Sequence, residues 1–319
     1  MQEVPVTVLM SVKNGEKYLE ETIRSILAQT YRDFRFLILD NASTDRTREI
    51  IRSYQDARIK LIELSSDLGQ TGALNHGLSL INSPYVARTD ADDVSHPSRL
   101  QKQMAFVKAH PEVALLGAWY EAIGDQNRVV ARHHPPTRPE QLATHLLLDN
   151  PFAHSSVLFS RQAALACGGY DPRFKFAQDY LLWLQIGARY PVAILPDYLV
   201  QIRRHPNRSG TDATVGCQRA LAAIQTISDL VSGLPPTKAA NRLACVARGR
   251  AYLRYAVSLS EAGQPLKSLQ WLGRSISQNP VLPAIKTTVI GRLLLRTVLC
   301  EKGWTTAKRA RRLFCHSAV

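Results

Sequence analysis

Residues 1–209 predict an α/β domain on a mostly parallel sheet with helices on both faces, and residues 210–319 predict an all-α region. Three observations carry this. Short, almost wholly apolar runs recur at residues 4–12, 34–39, 59–64 and 84–89, the pattern of strands covered on both faces. The stretches between them place apolar residues at helical spacing, so strand and helix alternate as in a parallel sheet. Beyond Ser209 the chain reads as helical and is nearly free of acids.

Taken in order, residues 4–12 are rich in Val with Pro5 near the start, and read as a buried strand that Lys13-Asn14-Gly15 ends as a turn. Leu19, Ile23, Ile26 and Leu27 give residues 18–28 a helical period. The second strand, 34–39, runs into Asp40-Asn41-Ala42-Ser43-Thr44-Asp45 and a helix to about residue 54. A third strand (59–64), a helix (71–81) and a fourth strand (84–89) follow, then an amphipathic helix at 98–109 and a strand at 113–120. In parallel sheets ligands gather beyond the carboxyl ends of the strands. Lys13-Asn14, Asp40-Asn41 and Asp90 to Asp92 each follow a strand, so they are expected on one edge.

The fourth strand ends in Arg88-Thr89-Asp90-Ala91-Asp92-Asp93, three carboxylates in four positions. Crowded acids repel and raise one another's pKa values. A hard divalent cation, Mg2+ or Mn2+, relieves the conflict and is commonly shared with a substrate's phosphates. The alternative is a solvated acidic turn in which Asp93 caps the helix that Pro97 helps to start.

Five blocks in order resemble the family 2 glycosyltransferases, whose nucleotide-sugar-binding domain has the Rossmann-like GT-A fold: Ser11-Val12-Lys13-Asn14-Gly15-Glu16-Lys17-Tyr18-Leu19, Ser25-Ile26-Leu27-Ala28-Gln29-Thr30-Tyr31, Asp40 to Thr47, Leu74-Asn75-His76-Gly77 and Asp90-Ala91-Asp92-Asp93. The resemblance implies that Asp40 hydrogen-bonds the base, usually uracil, and that Val12, Asn14, Asn41, Ser43, Asn75, Asp90 and Ala91 line the nucleotide-sugar site. It also implies that Asp92 binds the metal. Asn41 stands where the family often has Asp.

Later blocks extend the resemblance. Residues 150–159, Asn-Pro-Phe-Ala-His-Ser-Ser-Val-Leu-Phe, are expected as a strand under the sugar site, with His154 either a hydrogen-bonded core histidine or a substrate contact. In the block from Phe174 to Leu184 Asp179 aligns with the catalytic base; inverting transfer needs one carboxylate to take the acceptor's proton. Asp179 as a plain helix cap is the competing reading. The block ending the domain keeps Arg203, His205 and Pro206 but has Ile202 where the family has an aromatic residue. There His205 is expected to complete the metal site or touch the diphosphate, and Arg203 to contact substrate. The polar, Pro-rich stretch 124–139 holds His133-His134 without a ligand-spaced partner, so it is expected as a loop facing the acceptor.

The five cysteines, Cys167, Cys217, Cys245, Cys300 and Cys315, form no C-x-x-C pair, which argues against a disulfide framework or zinc site and suits a reducing cytoplasm. No secretory leader is expected at the start, and no apolar run is long enough to span a membrane. Charge is unevenly placed: of the net +14, residues 210–319 contribute +12, from 16 basic and 4 acidic side chains. Residues 248–280 resemble a single tetratricopeptide-like helical hairpin. Basic residues interleave with apolar ones at 285–299 and 308–314, which suits a helix on an anionic membrane surface. No nucleic-acid module accompanies them.

The reading is therefore an inverting, metal-dependent glycosyltransferase with a nucleotide-sugar donor, a UDP-sugar by family habit, and a cell-surface glycan or lipid-linked acceptor. It is expected in the cytoplasm, at the inner face of the cell membrane. Two rivals are a nucleotidyltransferase and a non-catalytic helical scaffold. The single glycine in Ser11 to Gly15 counts against the first, and the set Asp90, Asp92, Asp179 and His205 against the second.

Overall fold

The computed structural model describes residues 4–174, 177–205, 213–232 and 238–278. They fall into two compact units divided between Arg208 and Ser209. In the first, the elements in chain order are β1 (Val6–Val12), α1 (Leu19–Leu27), β2 (Phe34–Asp40), α2 (Thr47–Arg52), β3 (Ile59–Glu63), α3 (Gly69–Leu80), β4 (Tyr85–Arg88), β5 (Val94–Ser95), α4 (Arg99–Ala109), β6 (Leu115–Ile123), β7 (Val129–His133), α5 (Pro139–Leu148), a 3-10 turn (His154–Ser156), β8 (Leu158–Ser160), α6 (Arg161–Ala166), α7 (Gln178–Gly187) and β9 (Val192–Arg203).

One sheet runs in the order β3-β2-β1-β4-β8-β6-β9-β5, with β7 attached to β6. The first four strands pair parallel, with Val6 opposite both Phe34 and Tyr85. The antiparallel strand β8 joins β4 to β6, and β6 pairs parallel with β9. Side chains alternate along a strand, and β1 shows why both faces must be covered. Val6, Val8, Met10 and Val12 pack with Leu19, Ile23 and Ile26 of α1 and Leu100, Met104 and Val107 of α4. Leu9 points the other way: a Cβ added at Gly77 of α3 would lie 2.5 Å from its Cδ1 and 2.9 Å from Leu39 Cδ1. A glycine lets α3 lie that close to the sheet.

Arg99 of α4, fully buried, fastens helix to sheet. It donates to Gln103 Oε1, Ser95 Oγ and the carbonyls of Arg88 and Val157. Burial, reinforced by the neighbouring Arg88 charge, pushes its pKa down to about 9, so it remains a cation at neutral pH.

Two expectations need correction. The stretch 124–139 is not all loop: β7 pairs antiparallel with β6, with Tyr120 opposite His133. A tight turn makes this possible, with Asn127 at φ 58° and its N–H donating to Gly124 O at 3.0 Å. The sequence conceals the strand because Val129 and Val130 face solvent, 44% and 61% exposed. Residues 150–159 are not one strand either. They hold the 3-10 turn and then the start of three-residue β8, because Ser156 Oγ bonds back to Ala153 O and bends the chain.

The second unit contains α8 (Ala213–Ser232), α9 (Lys238–Glu261) and α10 (Pro265–Gln278). Gly263, at φ 73°, closes α9, and Gln264 N donates to Leu259 O at 2.8 Å. Buried Ser268 and Ser275 donate to the carbonyls of Ala256 and Gly249, drawing α10 against α9. Leu253, Ala256 and Leu272 form the core, and Trp271 packs edge-on to Tyr252 and Tyr255. Among the described residues no helix is long and apolar enough to cross a membrane. The basic segments at 285–299 and 308–314 lie outside the described residues.

Candidate active site

The loops after β1 and β2 are laced together at the carboxyl edge of the sheet. Asn14, left-handed at φ 53°, donates its N–H to Ser43 Oγ (2.9 Å) and accepts at Oδ1 from Thr44 N (2.8 Å). Gly15 N donates to Thr47 Oγ1, and Asn41 N to Val12 O. A Cβ on Gly15 would lie 2.5 Å from Val12 Cγ2 and 3.6 Å from Ala91 Cβ, which seats this loop against the acidic segment. Asp40 is wholly buried; its carboxylate accepts from Arg48 Nε at 2.6 Å and from Ser43 N. The Asn41 amide is engaged on both sides, donating to Asp67 Oδ1 and accepting from Leu68 N. Asp67 also pairs with Lys13 Nζ at 2.6 Å, and that bond leads the causes holding its carboxyl below the ordinary value.

The three acids after β4 have different work. Asp93 is 1% exposed, accepting from Ser155 Oγ and from Arg203 N, while its carbonyl accepts from Thr22 Oγ1. It does not cap α4, whose cap position is Ser98. Asp90 pairs with Arg88 Nη2 at 2.5 Å, and its N–H donates to Ser155 Oγ at 2.9 Å. Asp92 Oδ2 lies 2.9 Å from His205 Nε2. His205 in turn packs against the Tyr18 ring, with centroids 5.3 Å apart.

Arg203 ties several elements together. It is 1% exposed, and its guanidinium donates to Asp92 O, Gly124 O, Asn127 Oδ1 and Glu21 Oε2 while stacking on Tyr18. It thereby joins α1, the β6–β7 turn and the acidic segment. Tyr18 Oη donates to Asp125 at 2.6 Å, closing the same cluster. Ile202 is buried within β9; Pro206 and the loop after it lie outside the described residues.

On the other side, Asp179 stands in the first turn of α7, where a helix favours an acid. It is not the cap: that position is Ala177, in the left-handed region at φ 65°. Asn150 Nδ2 donates to Asp179 Oδ2 at 3.2 Å. His154 Nε2 meets Tyr170 Oη at 3.1 Å, and the imidazole feels the charges of both Asp90 and Asp179. The Asn75 amide clasps the backbone of Tyr170, donating to its carbonyl (2.7 Å) and accepting from its N–H (2.9 Å). Gln70, Arg88, Asn150, Ser155 and Tyr170 escaped the sequence reading; only Arg88 carried a signal, a charge inside an apolar strand.

Among the described residues no cluster of three or more His, Cys, Asp or Glu is arranged to hold a metal. Asp92 and His205 nonetheless put a carboxylate oxygen and an imidazole nitrogen side by side. That two-donor set fits a divalent cation whose remaining ligands come from substrate phosphates and water.

The architecture is that of the GT-A glycosyltransferases. It is similar to crystal structures of Staphylococcus aureus TarS in complex with UDP-GlcNAc (TM-score 0.67, 15% identity, covering 86% of this chain and 88% of that one) and of the Pyrobaculum calidifontis mannosyltransferase PcManGT with GDP-Man and Mn2+ (TM-score 0.58, 20% identity, 93% and 87%). The chain belongs to glycosyl transferase family 2, whose model matches residues 7–168. An uncharacterized glycosyltransferase of Haemophilus influenzae is 32% identical over 203 residues, 62% of this chain and 75% of that protein. The Escherichia coli UDP-Glc:alpha-D-GlcNAc-diphosphoundecaprenol beta-1,3-glucosyltransferase WfgD is 27% identical over 186 residues, 58% and 71%.

Burial first, then the Arg88 charge, pushes the His154 pKa from 6.5 down to about 4, leaving the imidazole neutral at physiological pH. Between those values the unfolded chain binds a proton that the folded chain does not. Stability from this residue is therefore complete above pH 6.5 and drains away as pH falls toward 4, by roughly 3 kcal/mol in all. Urea midpoints at pH 7.5 and 4.5 should fall further for the parent than for His154→Gln. Equal falls would show that the imidazole is not held neutral.

Proposed function

We propose that this glycosyltransferase transfers a sugar from a nucleotide-sugar donor, a UDP-sugar, to an acceptor hydroxyl with inversion at the anomeric carbon. The observation that carries it is the link from Gln178, next to Asp179, through Gln70 to Asp90: Gln178 Nε2 donates to Gln70 Oε1 at 2.9 Å, and Gln70 Nε2 lies 3.5 Å from Asp90 Oδ1. It supports a single site for the acids expected at the donor and at the acceptor. Asp90 takes the ribose, while Val12, Asn14, Ser43 and Ala91 line the nucleotide. Asp40 serves the base from its buried place beside Arg48. Asn41 and Asn75 act by holding loops, since their amides bond to protein.

In the chemical step Asp179 accepts the hydroxyl proton while the acceptor oxygen bonds to the anomeric carbon and the bond to the nucleoside diphosphate breaks. Asn150 holds one oxygen of Asp179 and so orients the carboxylate. Asp92 and His205 would hold a Mn2+ or Mg2+ ion, which supplies charge stabilisation to the departing diphosphate. Support for a UDP donor and a lipid-linked glycan acceptor comes from the TarS complex and from the reaction that WfgD is named for. The +12 of residues 210–319 supports residence at an anionic membrane surface.

Asp92→Ala should make UDP affinity insensitive to Mn2+ in calorimetry; unchanged metal dependence would remove Asp92 from the metal site. Asp179→Asn keeps the shape and loses the base, so donor binding should persist while transfer falls about 100- to 10,000-fold. Turnover near the parent rate would exclude Asp179 as the base. For the membrane reading, the full chain should sediment with phosphatidylserine-containing vesicles at low salt and be released as ionic strength rises. Replacing Lys308, Arg309, Arg311 and Arg312 with Gln should weaken that binding, and equal sedimentation with neutral vesicles would refute it.

A further inference from the structure

Arg88, the last residue of β4, has no access to solvent. Its Nη2 meets Asp90 Oδ1 at 2.5 Å, but Nε and Nη1 are buried without a hydrogen-bond partner. The residue also lies close enough to buried Arg99 for the two positive charges to oppose each other. Arg99 answers its burial with four acceptors, whereas Arg88 has one carboxylate. Buried N–H groups without acceptors and a like charge alongside work against folding. An explanation from fold stability therefore fails for Arg88.

What Arg88 does achieve is local. Asp90 receives it at Oδ1, while Asp90 N donates to Ser155 Oγ, whose hydroxyl proton goes to Asp93 Oδ2. Gln70 Nε2 adds a long contact of 3.5 Å to Oδ1. Of these contacts the strongest is the charge-assisted one from Arg88. Without it the half-buried carboxylate would lose its charge-assisted bond and could turn away from the nucleotide.

We infer that Arg88 is a positioning residue for donor binding, fixing the Asp90 carboxylate from beneath at a cost to the stability of the fold. The inference rests on the reading of Asp90 as a donor-binding acid. It predicts opposite movements of function and stability, which a merely structural arginine would not give. Arg88→Met removes the charge and the orphaned donors together. Arg88→Lys keeps a cation for Asp90 and drops the rigid fork.

The test uses the full chain, with UDP and Mn2+ in calorimetry and thermal unfolding without ligand. Arg88→Met should weaken UDP binding about tenfold or more while its Tm equals or exceeds the parent's. Arg88→Lys should bind UDP within about threefold of the parent, a loss well short of that seen on removing such a supporting group. A methionine variant that binds UDP like the parent would overturn the inference and leave the donor-site reading intact. A Tm well below the parent's in both variants would overturn it in favour of a structural role. A parent chain that fails to bind UDP would refute the donor-site reading and the inference with it.

Discussion

The site depends on a carboxylate buried within the protein. Asp93, buried beside two acids that face the site, accepts from Ser155 Oγ in the 3-10 turn and from Arg203 N at the end of β9, while its carbonyl holds Thr22 of α1. Hydrogen bonds to a buried charge contribute on the order of 1.5–3 kcal/mol each, and losing a partner leaves a desolvated acid behind. The acidic segment is therefore fixed at its third carboxylate. Asp90 and Asp92 gain their directions from it, the one toward Arg88, the other toward His205.

Beneath that segment the protein buries two arginines on different terms. Arg99 behaves as a staple, matched donor for acceptor across α4, β4 and the residues leading into β8. Arg88 is matched only toward the site. The contrast shows how a fold can carry a costly group where binding needs it, provided that a well-satisfied neighbour secures the surrounding backbone. Arg203 repeats the staple on the far side, with four acceptors and an aromatic face.

The parallel half of the sheet was legible in the sequence because β1, β2 and β4 are largely buried and show as mainly apolar runs. The edge strand β7 was hidden by its exposed valines, and the 3-10 turn by serines whose side chains bond to backbone and acid instead of following any period. The residues later matched to the family stand at strand ends as expected, yet their side chains divide in ways that a row of letters does not display. Asp90, Asp92 and Asp93 look equivalent in the sequence, and only the fold separates the buried anchor from the other two. Asn41 and Asn75 read as polar groups at a ligand edge, whereas their amides complete hydrogen bonds to distant backbone or side chain. Arg203 likewise reads as a site cation because burial of a long charged side chain depends on acceptors contributed by Glu21, Gly124 and Asn127, far away in the chain.

The bond from Arg203 N to Asp93 spans 110 positions, and β5, which directly follows Asp93, pairs only with β9. The strands β3, β2, β1 and β4 need nothing beyond residue 88 to align with one another. During synthesis the amino-terminal half-sheet can thus assemble early, while the acid at its edge waits for a strand made last. Contacts of such long sequence separation are slow to form because chain closure precedes any reward. Emergence of residue 203 from the ribosome therefore marks the moment at which a collapsed half-sheet can become a competent site. Until then the nascent chain displays the open edge of β6 that β9 will cover, a surface for chaperones to shield.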